Sequence, residues 1–405
     1  MKRLALKFGG TSVGNIEKIK KVANIIKKRK DEGNEIIVIV SAMSGTTNEL
    51  KEKSNLISKN FDAREHDVLL SAGEQISSSL LSGAIIDLGI KARSWLGWQV
   101  PIITNANYAA SQIIKIRTAE ILKYISGNGV AVIAGFQGIT ENDRITTLGR
   151  GGSDLSAVAI AKFFKTDFCE IYTDVEGVLT TDPNIHDEAK KIDKISYEEM
   201  LEMASLGAKV MQPSAVQASM VNDIPIHVRS TFSEKDGTKI ISENEIDHKK
   251  AVTGIAYSKN NAKVSLVGVV DKPGVAADIF EPIGKNNINI DMVIQNTSLD
   301  GKTANITFTI KQEDLKKTLN MIEKNKQKIN YKKVTHEEKL AKVSIVGAGM
   351  ITSPGVTYKM FRSLADEKIN ILAISTSEIK ISVLVQEDFT QKAVKILHET
   401  FELNQ

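Results

Sequence analysis

The feature that most restricts the fold is an internal repeat in the last third of the chain. Ala262-Lys-Val-Ser-Leu-Val-Gly268 recurs as Ala341-Lys-Val-Ser-Ile-Val-Gly347, Pro273-Gly274-Val275 as Pro354-Gly355-Val356, and Ile288-Asn289-Ile290 as Ile369-Asn370-Ile371. Three blocks recurring in the same order indicate one supersecondary unit copied in tandem. Each copy reads strand, Pro-Gly turn, helix, strand, strand, helix. The first copy has a further candidate strand at Ile329–Thr335, whereas the second reaches Gln405 without one, which would leave an open sheet edge. The apolar run Val252–Tyr257, set in the polar stretch Ser242–Asn261, is expected to cross over and complete the second sheet.

Ahead of the repeat the pattern changes. Leu4, Leu6 and Phe8 alternate as in a strand, Ile16, Ile19, Val22, Ala23 and Ile26 follow helical spacing, and Ile36–Val40 is a β-branched run. Ile76, Leu80, Leu81, Ala84, Ile85 and Leu88 fit one helix face, with Glu74 near the opening of that helix. Val130–Ala134 reads as a strand, Leu155–Phe163 as a helix and Phe168–Tyr172 as a strand. Strands alternating with helices to about residue 240 predict an α/β domain with an open, mainly parallel sheet covered on both faces. The expected division is 1–245, then 262–335 and 341–405 for the two copies.

Composition narrows the class. A length of 405 residues accommodates two or three domains. The single cysteine, Cys169, excludes a disulfide framework or thiolate cluster, and the six histidines lack ligand spacing, so no protein-held metal is expected. With 53 basic and 49 acidic residues and no aromatic-laced basic stretch, nucleic acid is not an expected partner. Lys27-Lys28-Arg29-Lys30 reads as the solvated end of a helix. The longest apolar runs are strand-sized, and Lys7 interrupts the N-terminal one, so neither a membrane span nor a signal peptide is expected and the cytoplasm is the expected location.

Four polar, glycine-rich segments carry the chemistry. Lys7-Phe-Gly-Gly-Thr-Ser-Val13 runs from a strand into a turn before a helix, where backbone N–H groups and a lysine suit a phosphate. Ser41-Ala-Met-Ser-Gly-Thr-Thr-Asn48 follows the Ile36–Val40 strand, and Gly149-Arg-Gly-Gly-Ser-Asp154 precedes the Leu155 helix. Thr173-Asp-Val-Glu-Gly-Val-Leu-Thr-Thr-Asp-Pro183 follows the Phe168–Tyr172 strand. Ligands of open α/β sheets bind at the carboxyl ends of the strands, where these loops are expected to gather. Two other nucleotide signatures fail: Asn296 stands where a phosphate loop ending in Gly301-Lys302-Thr303 needs glycine, and Thr352 breaks a dinucleotide fingerprint begun by Gly347-Ala-Gly349.

These motifs resemble those of the aspartokinase family of the amino-acid-kinase superfamily. The resemblance rests on KFGGTSV at 7–13, SAMSGTTN at 41–48, SAGE at 71–74, GRGGSD at 149–154, TDVEGV at 173–178, SLGAKVMQP at 205–213 and NIDMVIQN at 289–296. It implies a kinase domain followed by two ferredoxin-like βαββαβ ACT domains. It also implies Lys7 and Asp154 as catalytic residues, with Lys7 meeting the transferring phosphoryl group. Ser41, Thr47, Glu74, Arg150, Gly151, Gly152 and Ser153 then bind L-aspartate, Glu74 facing its ammonium and Arg150 its α-carboxylate. Lys7, Phe8, Gly9, Gly10, Thr173, Asp174, Leu179, Asn184 and Lys209 fall at ATP positions, although relatives often have Tyr at 179 and Arg at 184.

The implied reaction is transfer from MgATP to the β-carboxylate of L-aspartate, giving 4-phospho-L-aspartate, the first step towards lysine, threonine and methionine. That carboxylate is ionised at neutral pH, so no general base is needed and the work is positioning and charge neutralisation, for which Lys7, Mg²⁺ and the Gly9 and Gly10 amides are the candidates. The resemblance further implies feedback by L-lysine, L-threonine or both, and self-association through the ACT domains as a dimer or tetramer. Asp271, Pro273, Asn289, Ile290, Asp291, Gln295 and Asn296 are the candidate effector contacts, Asp291 being placed to meet an ammonium. Two alternatives keep the fold: another amino-acid kinase with a different acceptor, and a non-catalytic amino-acid sensor. The end at Gln405 argues against a fused dehydrogenase.

Overall fold

The computed structural model describes residues 2–207, 210–247, 250–298 and 301–404. The chain packs as two compact units: 2–179 with 191–205 and 210–247, and 180–190 with 250–404. It is therefore not divided by a single cut near residue 245. Among the described residues, no helix is long and apolar enough to cross a membrane.

The first unit is built on an eight-stranded sheet. Its order is Lys194–Ser196, Thr238–Ile241, Ile226–Ser230, Phe168–Thr173, Arg3–Phe8, Glu35–Val40, Val130–Ala134 and Ala92–Trp95. Arg3–Phe8 lies at the centre, parallel to Glu35–Val40 on one side and to Phe168–Thr173 on the other. Only Ile226–Ser230 and Thr238–Ile241 pair antiparallel. The central strands are buried on both faces, which explains why Glu35–Val40 is a nearly continuous apolar run rather than an alternating one. A second sheet of four short strands includes Gln137–Ile139 and Ile145–Thr147.

Leu4, Leu6 and Phe8 turn one face of the central strand to helices Ile16–Asp31 and Ala63–Asp87, where Ile19, Val22, Ile26, Leu81 and Ile85 complete the core. Lys7 faces the other side because side chains alternate along a strand. That side is covered by helix Gly152–Phe164.

Three expectations are corrected here. Ile76 and Leu80 are 51% and 39% exposed, and the buried stripe of their helix is instead Asp67, Leu70, Ser71, Gly73, Glu74, Ser77, Ser78, Leu81, Ser82 and Ile85. Small residues form this face because the helix lies close to the ends of the strands: a Cβ on Gly73 would sit 2.7 Å from that of Ala42. Glu74 consequently lies in the middle of a 25-residue helix that begins at Ala63, not at its opening. In the basic run that ends the first helix, Arg29 is not simply solvated. Its guanidinium meets Glu170 at 2.7 Å, and Glu170 accepts the Tyr172 hydroxyl at 2.8 Å.

The second unit carries both repeats on one six-stranded sheet, ordered Val293–Thr297, Thr303–Lys311, Gly254–Val270, Lys333–Val346, Lys380–Gln386 and Ala373–Thr376. The two long central strands each serve both repeats. Gly254–Ser258 pairs with Lys342–Val346, beside the second copy, while Lys263–Val267 pairs with Lys333–Glu337, beside the first. The end of the first copy differs in detail from the sequence pattern. Ile329 ends a short helix, Lys326–Ile329, and the strand begins at Lys333. The Thr180–Lys190 segment packs into this unit because its groups find partners there: Ile255 N–H donates to Thr180 O at 2.7 Å, and the Tyr257 hydroxyl donates to Asp182 at 2.8 Å. The Thr180 hydroxyl meets the buried His398 ring at 2.8 Å, and burial with neighbouring His186 pushes the His398 pKa down to about 4, leaving it neutral and structural.

Ile255 is 1% exposed in the second repeat's core, although it precedes the first repeat in sequence. Ile255→Ala should therefore lower the stability of this unit by about 2–5 kcal/mol, whereas Ile374→Ala, on a partly exposed edge position, should cost about 0.5 kcal/mol or less. Thermal or urea unfolding followed by circular dichroism measures the difference.

Candidate active site

Parallel pairing in register brings the loop-bearing strand ends to one edge of the first unit. Lys7 and Phe8 are paired with Ile39 and Val40 on one side and with Ile171 and Tyr172 on the other. The chain leaves these strands into Gly9-Gly10, Ser41–Gly45 and Thr173-Asp174. The Phe8 and Tyr172 rings stack with centroids 4.6 Å apart, and Ser41 N–H donates to Phe8 O at 3.1 Å. Ser44 N–H donates to Gly10 O at 3.2 Å, and a Cβ on Gly10 would lie 2.8 Å from Ala42 O. The first glycine turn and the Ser41 loop thus touch along their backbones, and no larger residue fits at position 10.

Lys7 reaches Asp154 at 2.5 Å, and both side chains are only 11% exposed. Asp154 is the third residue of helix Gly152–Phe164, where the helix N-terminus favours a carboxylate. The pair therefore holds an ammonium group at the sheet edge, directed by a carboxylate that is itself fixed by its helix. Cys169 is fully buried nearby. Burial pushes its thiol pKa up, Asp154 adds to this and Lys7 opposes it, so the thiol stays protonated.

Glu74 enters the same region from the helix Ala63–Asp87. It is 3% exposed, and its Oε2 has no hydrogen-bond partner. Burial pushes its pKa up to about 7, while the N–H groups of Ala42 and of Glu74 itself pull it back. A buried carboxylate with an unsatisfied oxygen beside a solvent-reachable loop is an incomplete cation site.

The remaining expected residues fall as follows. Arg150 is exposed and makes no ion pair or hydrogen bond among the described residues, so its fork is free for a carboxylate. Gly151, Gly152 and Ser153 link it to Asp154, but the N–H groups of Gly152 and Asp154 are already donated to Gly149 O and Gly151 O. Thr47 is half-buried in the first turn of helix Thr46–Ile57. Thr173 and Asp174 end the Phe168–Thr173 strand, with the Thr173 hydroxyl donating to the Asp174 carboxylate at 3.1 Å.

One expectation changes, and three further residues are placed. The Gly9 amide does not face a ligand, because it donates to Tyr172 O at 3.2 Å and extends the sheet; Gly10 N–H has no such partner among the described residues. Leu179 is half-buried and bridges to Lys191. Asn184 belongs to the other unit, where its backbone and side-chain N–H groups both donate to Asp182 at 2.9 Å. Asp291 pairs through one carboxylate oxygen with the buried Lys342 ammonium of the second repeat, and its side chain stays half-exposed. Among the other effector candidates, Asn289, Gln295 and Asn296 are exposed, Ile290 is half-buried, Asp271 N–H donates to Lys302 O at 3.0 Å, and Pro273 is exposed in the turn before helix Val275–Lys285. Lys209 lies outside the described residues.

Asp67 escaped the sequence reading. It is fully buried two helical turns before Glu74 on the same face and accepts N–H groups from Ala109 and Thr147. The available signal was an acidic residue seven positions before another acid on one helix.

Comparison with known proteins identifies the family. The sequence profile of the amino acid kinase family matches residues 2–230, and that of the ACT domain matches 264–325 and 343–401. The chain is 44% identical over 405 residues to an aspartate kinase of Stutzerimonas stutzeri, covering 100% of this chain and 98% of that protein. It is 44% identical over 398 residues to aspartokinase 2 of Bacillus subtilis, covering 98% and 97%. Among solved structures, Synechocystis aspartate kinase is 40% identical with a TM-score of 0.55, over 98% of this chain and 69% of that one. Escherichia coli aspartokinase III, at 24% identity and a TM-score of 0.81 over 99% and 100% of the chains, shares the fold. The chain belongs to the aspartokinase family, the ATP-dependent aspartate kinases that join an amino-acid-kinase domain to ACT domains.

Proposed function

We propose that this enzyme transfers the γ-phosphoryl group of MgATP to the β-carboxylate of L-aspartate, forming 4-phospho-L-aspartate as the first step towards lysine, threonine and methionine. The observation that carries the reading is the unsatisfied, buried Glu74 carboxylate at the same strand ends as the Lys7–Asp154 pair. Glu74 takes the substrate ammonium and Arg150 its α-carboxylate, with Ser41, Thr47 and Ser153 as neighbouring polar contacts. This grip leaves the β-carboxylate as the group presented for transfer. It is ionised at neutral pH and attacks without a base.

The obstacle is repulsion between two anions, so the protein's contribution is placement and compensating charge. Lys7, held by Asp154, stands for the γ-phosphoryl oxygens, and the Gly10 N–H is the free donor of the glycine turn. Thr173 and Asp174 are candidate contacts on the nucleotide side. A divalent ion would be held chiefly by the triphosphate, with one or two carboxylates such as Asp174. Mg²⁺ bound in this way supplies charge neutralisation on the phosphoryl oxygens.

The second unit acts as the sensor for L-lysine, L-threonine or both. E. coli aspartokinase III has been solved with aspartate and ADP, and also with lysine and aspartate. Exposed Asn289, Gln295 and Asn296 offer polar groups here, and Asp291, paired with Lys342 through one oxygen, keeps the other for an effector ammonium. Val293–Thr297 and Ala373–Thr376 leave sheet edges available for self-association as a dimer or tetramer. An effector changes activity only through different affinities for two states.

Hydroxamate trapping of the acyl phosphate, titrated with lysine, threonine and both, tests reaction and regulation together. Aspartate-dependent signal that falls with at least one effector is expected; turnover with glutamate but not aspartate overturns the acceptor. Lys7→Ala should lower kcat by on the order of a hundredfold to a thousandfold with little change in aspartate KM. Arg150→Ala should raise aspartate KM by on the order of tenfold or more. Because Glu74 binds ammonium only when ionised and its free-enzyme pKa is near 7, kcat/KM for aspartate should decline as pH falls below about 7. The sign for folding is opposite. Its pKa is raised from 4.5 to about 7, so stability is lost as pH rises across that interval, and Glu74→Gln should melt higher at pH 8, by up to about 3 kcal/mol, while losing aspartate affinity.

A further inference from the structure

Helix Ala63–Asp87 carries a second buried carboxylate that has no place in the reaction as described. Asp67 is 0% exposed and accepts from neutral donors only: Ala109 N–H at 3.1 and 3.0 Å to its two oxygens, Thr147 N–H at 2.9 Å and the Thr147 hydroxyl at 2.7 Å. Burying a carboxylate without a cation is costly, and full satisfaction by directed donors is what permits it.

What those donors belong to gives Asp67 its role. Thr147 ends the strand Ile145–Thr147 and stands three residues before Arg150. Ala109 holds a left-handed backbone with φ of 65°, a conformation unfavourable for a residue with a Cβ unless its surroundings enforce it. Its carbonyl packs against Gly149, where an added Cβ would come within 3.0 Å of Ala109 O. Ser111 N–H donates to Thr147 O at 2.9 Å and closes the 109–111 turn onto the same strand end. Asp67 thus clamps both walls of the segment from which Arg150 projects. Seven residues along the helix, about 10 Å and close to two turns, Glu74 presents the other half of the substrate grip.

We propose that Asp67 is a positioning residue for substrate recognition. It fixes the Gly149–Arg150 segment to the helix that carries Glu74, so that one rigid element sets the distance between the α-carboxylate grip and the ammonium grip. This inference rests on the assignment of Arg150 and Glu74 to aspartate. It ties specificity to an α-amino acid of fixed geometry rather than to either charge alone, because each grip is referred to the same helix.

The test is steady-state kinetics of the full-length enzyme with Asp67→Asn, Thr147→Val, Arg150→Ala and the double variant Asp67→Asn/Arg150→Ala. Asparagine is nearly isosteric but turns an NH₂ group towards N–H donors, loosening the clamp. Asp67→Asn should raise aspartate KM by on the order of tenfold, with ATP KM and kcat within about twofold. Thr147→Val, which removes only the hydroxyl contact, should move aspartate KM in the same direction by a smaller factor. In the Arg150→Ala background, Asp67→Asn should have almost no further effect on kcat/KM for aspartate, because the group it positions is gone. An unchanged aspartate KM in both single variants overturns the proposal, as does an equal Asp67→Asn effect with and without Arg150. If Asp67→Asn does not fold, Thr147→Val against Arg150→Ala gives the same cycle. Absence of aspartate-dependent transfer in the unaltered enzyme would instead overturn the assignment of the reaction.

Discussion

Parallel register around the Arg3–Phe8 strand is the constraint on which the rest of the first unit depends. Pairing with Glu35–Val40 and with Phe168–Thr173 brings three glycine-rich or polar loops to one edge, although they lie far apart in sequence. The same register turns Lys7 away from the core formed by Leu6 and Phe8 and towards Asp154. A slip of one residue would send Lys7 into that core and Phe8 into the site. The Lys7 ammonium thus has its position set by a whole sheet rather than by a loop.

Charge at this edge is arranged in two states of satisfaction. Lys7 and Asp154 are paired and nearly buried, so their geometry is preorganised before any substrate arrives. Glu74 and Arg150 are left with open valences, one buried and one exposed. In the proposed assignment a zwitterionic substrate would satisfy both at once, its ammonium offsetting the desolvation that raises the Glu74 pKa. Binding energy for the acceptor is concentrated in groups that the free protein leaves incomplete.

Much of this was legible in the order of residues. The tandem repeat, the strand–helix alternation, and the Lys7, Arg150 and Asp154 motifs all survive in the structure. Local pattern and fold diverge where neighbours distant in sequence intervene. Ile76 and Leu80 follow helical spacing but face outward, because the buried stripe of that helix must be small enough to approach Ala42. Gly9 has the right residue type for a phosphate turn, yet its N–H is captured by Tyr172, which is 163 positions away in the chain. Asp291 gains Lys342, from the other repeat, as a partner only in the folded chain.

The sequence by itself determined the periodicities, the copied regulatory unit and the chemical inventory of the site, since these are local and depend on residue type and spacing. Tertiary structure alone decided which backbone groups remain available, which carboxylates are paired, and that Thr180–Lys190 packs with the second unit, whereas the crossing of Gly254–Ser258 to the second repeat is already expected from its apolar run. The physical reason is that hydrogen-bond satisfaction and burial are properties of neighbours distant in sequence. Asp67 illustrates the difference: as a letter it is one acid among 49 acidic residues, and only the fold gives it Ala109 and Thr147 to hold.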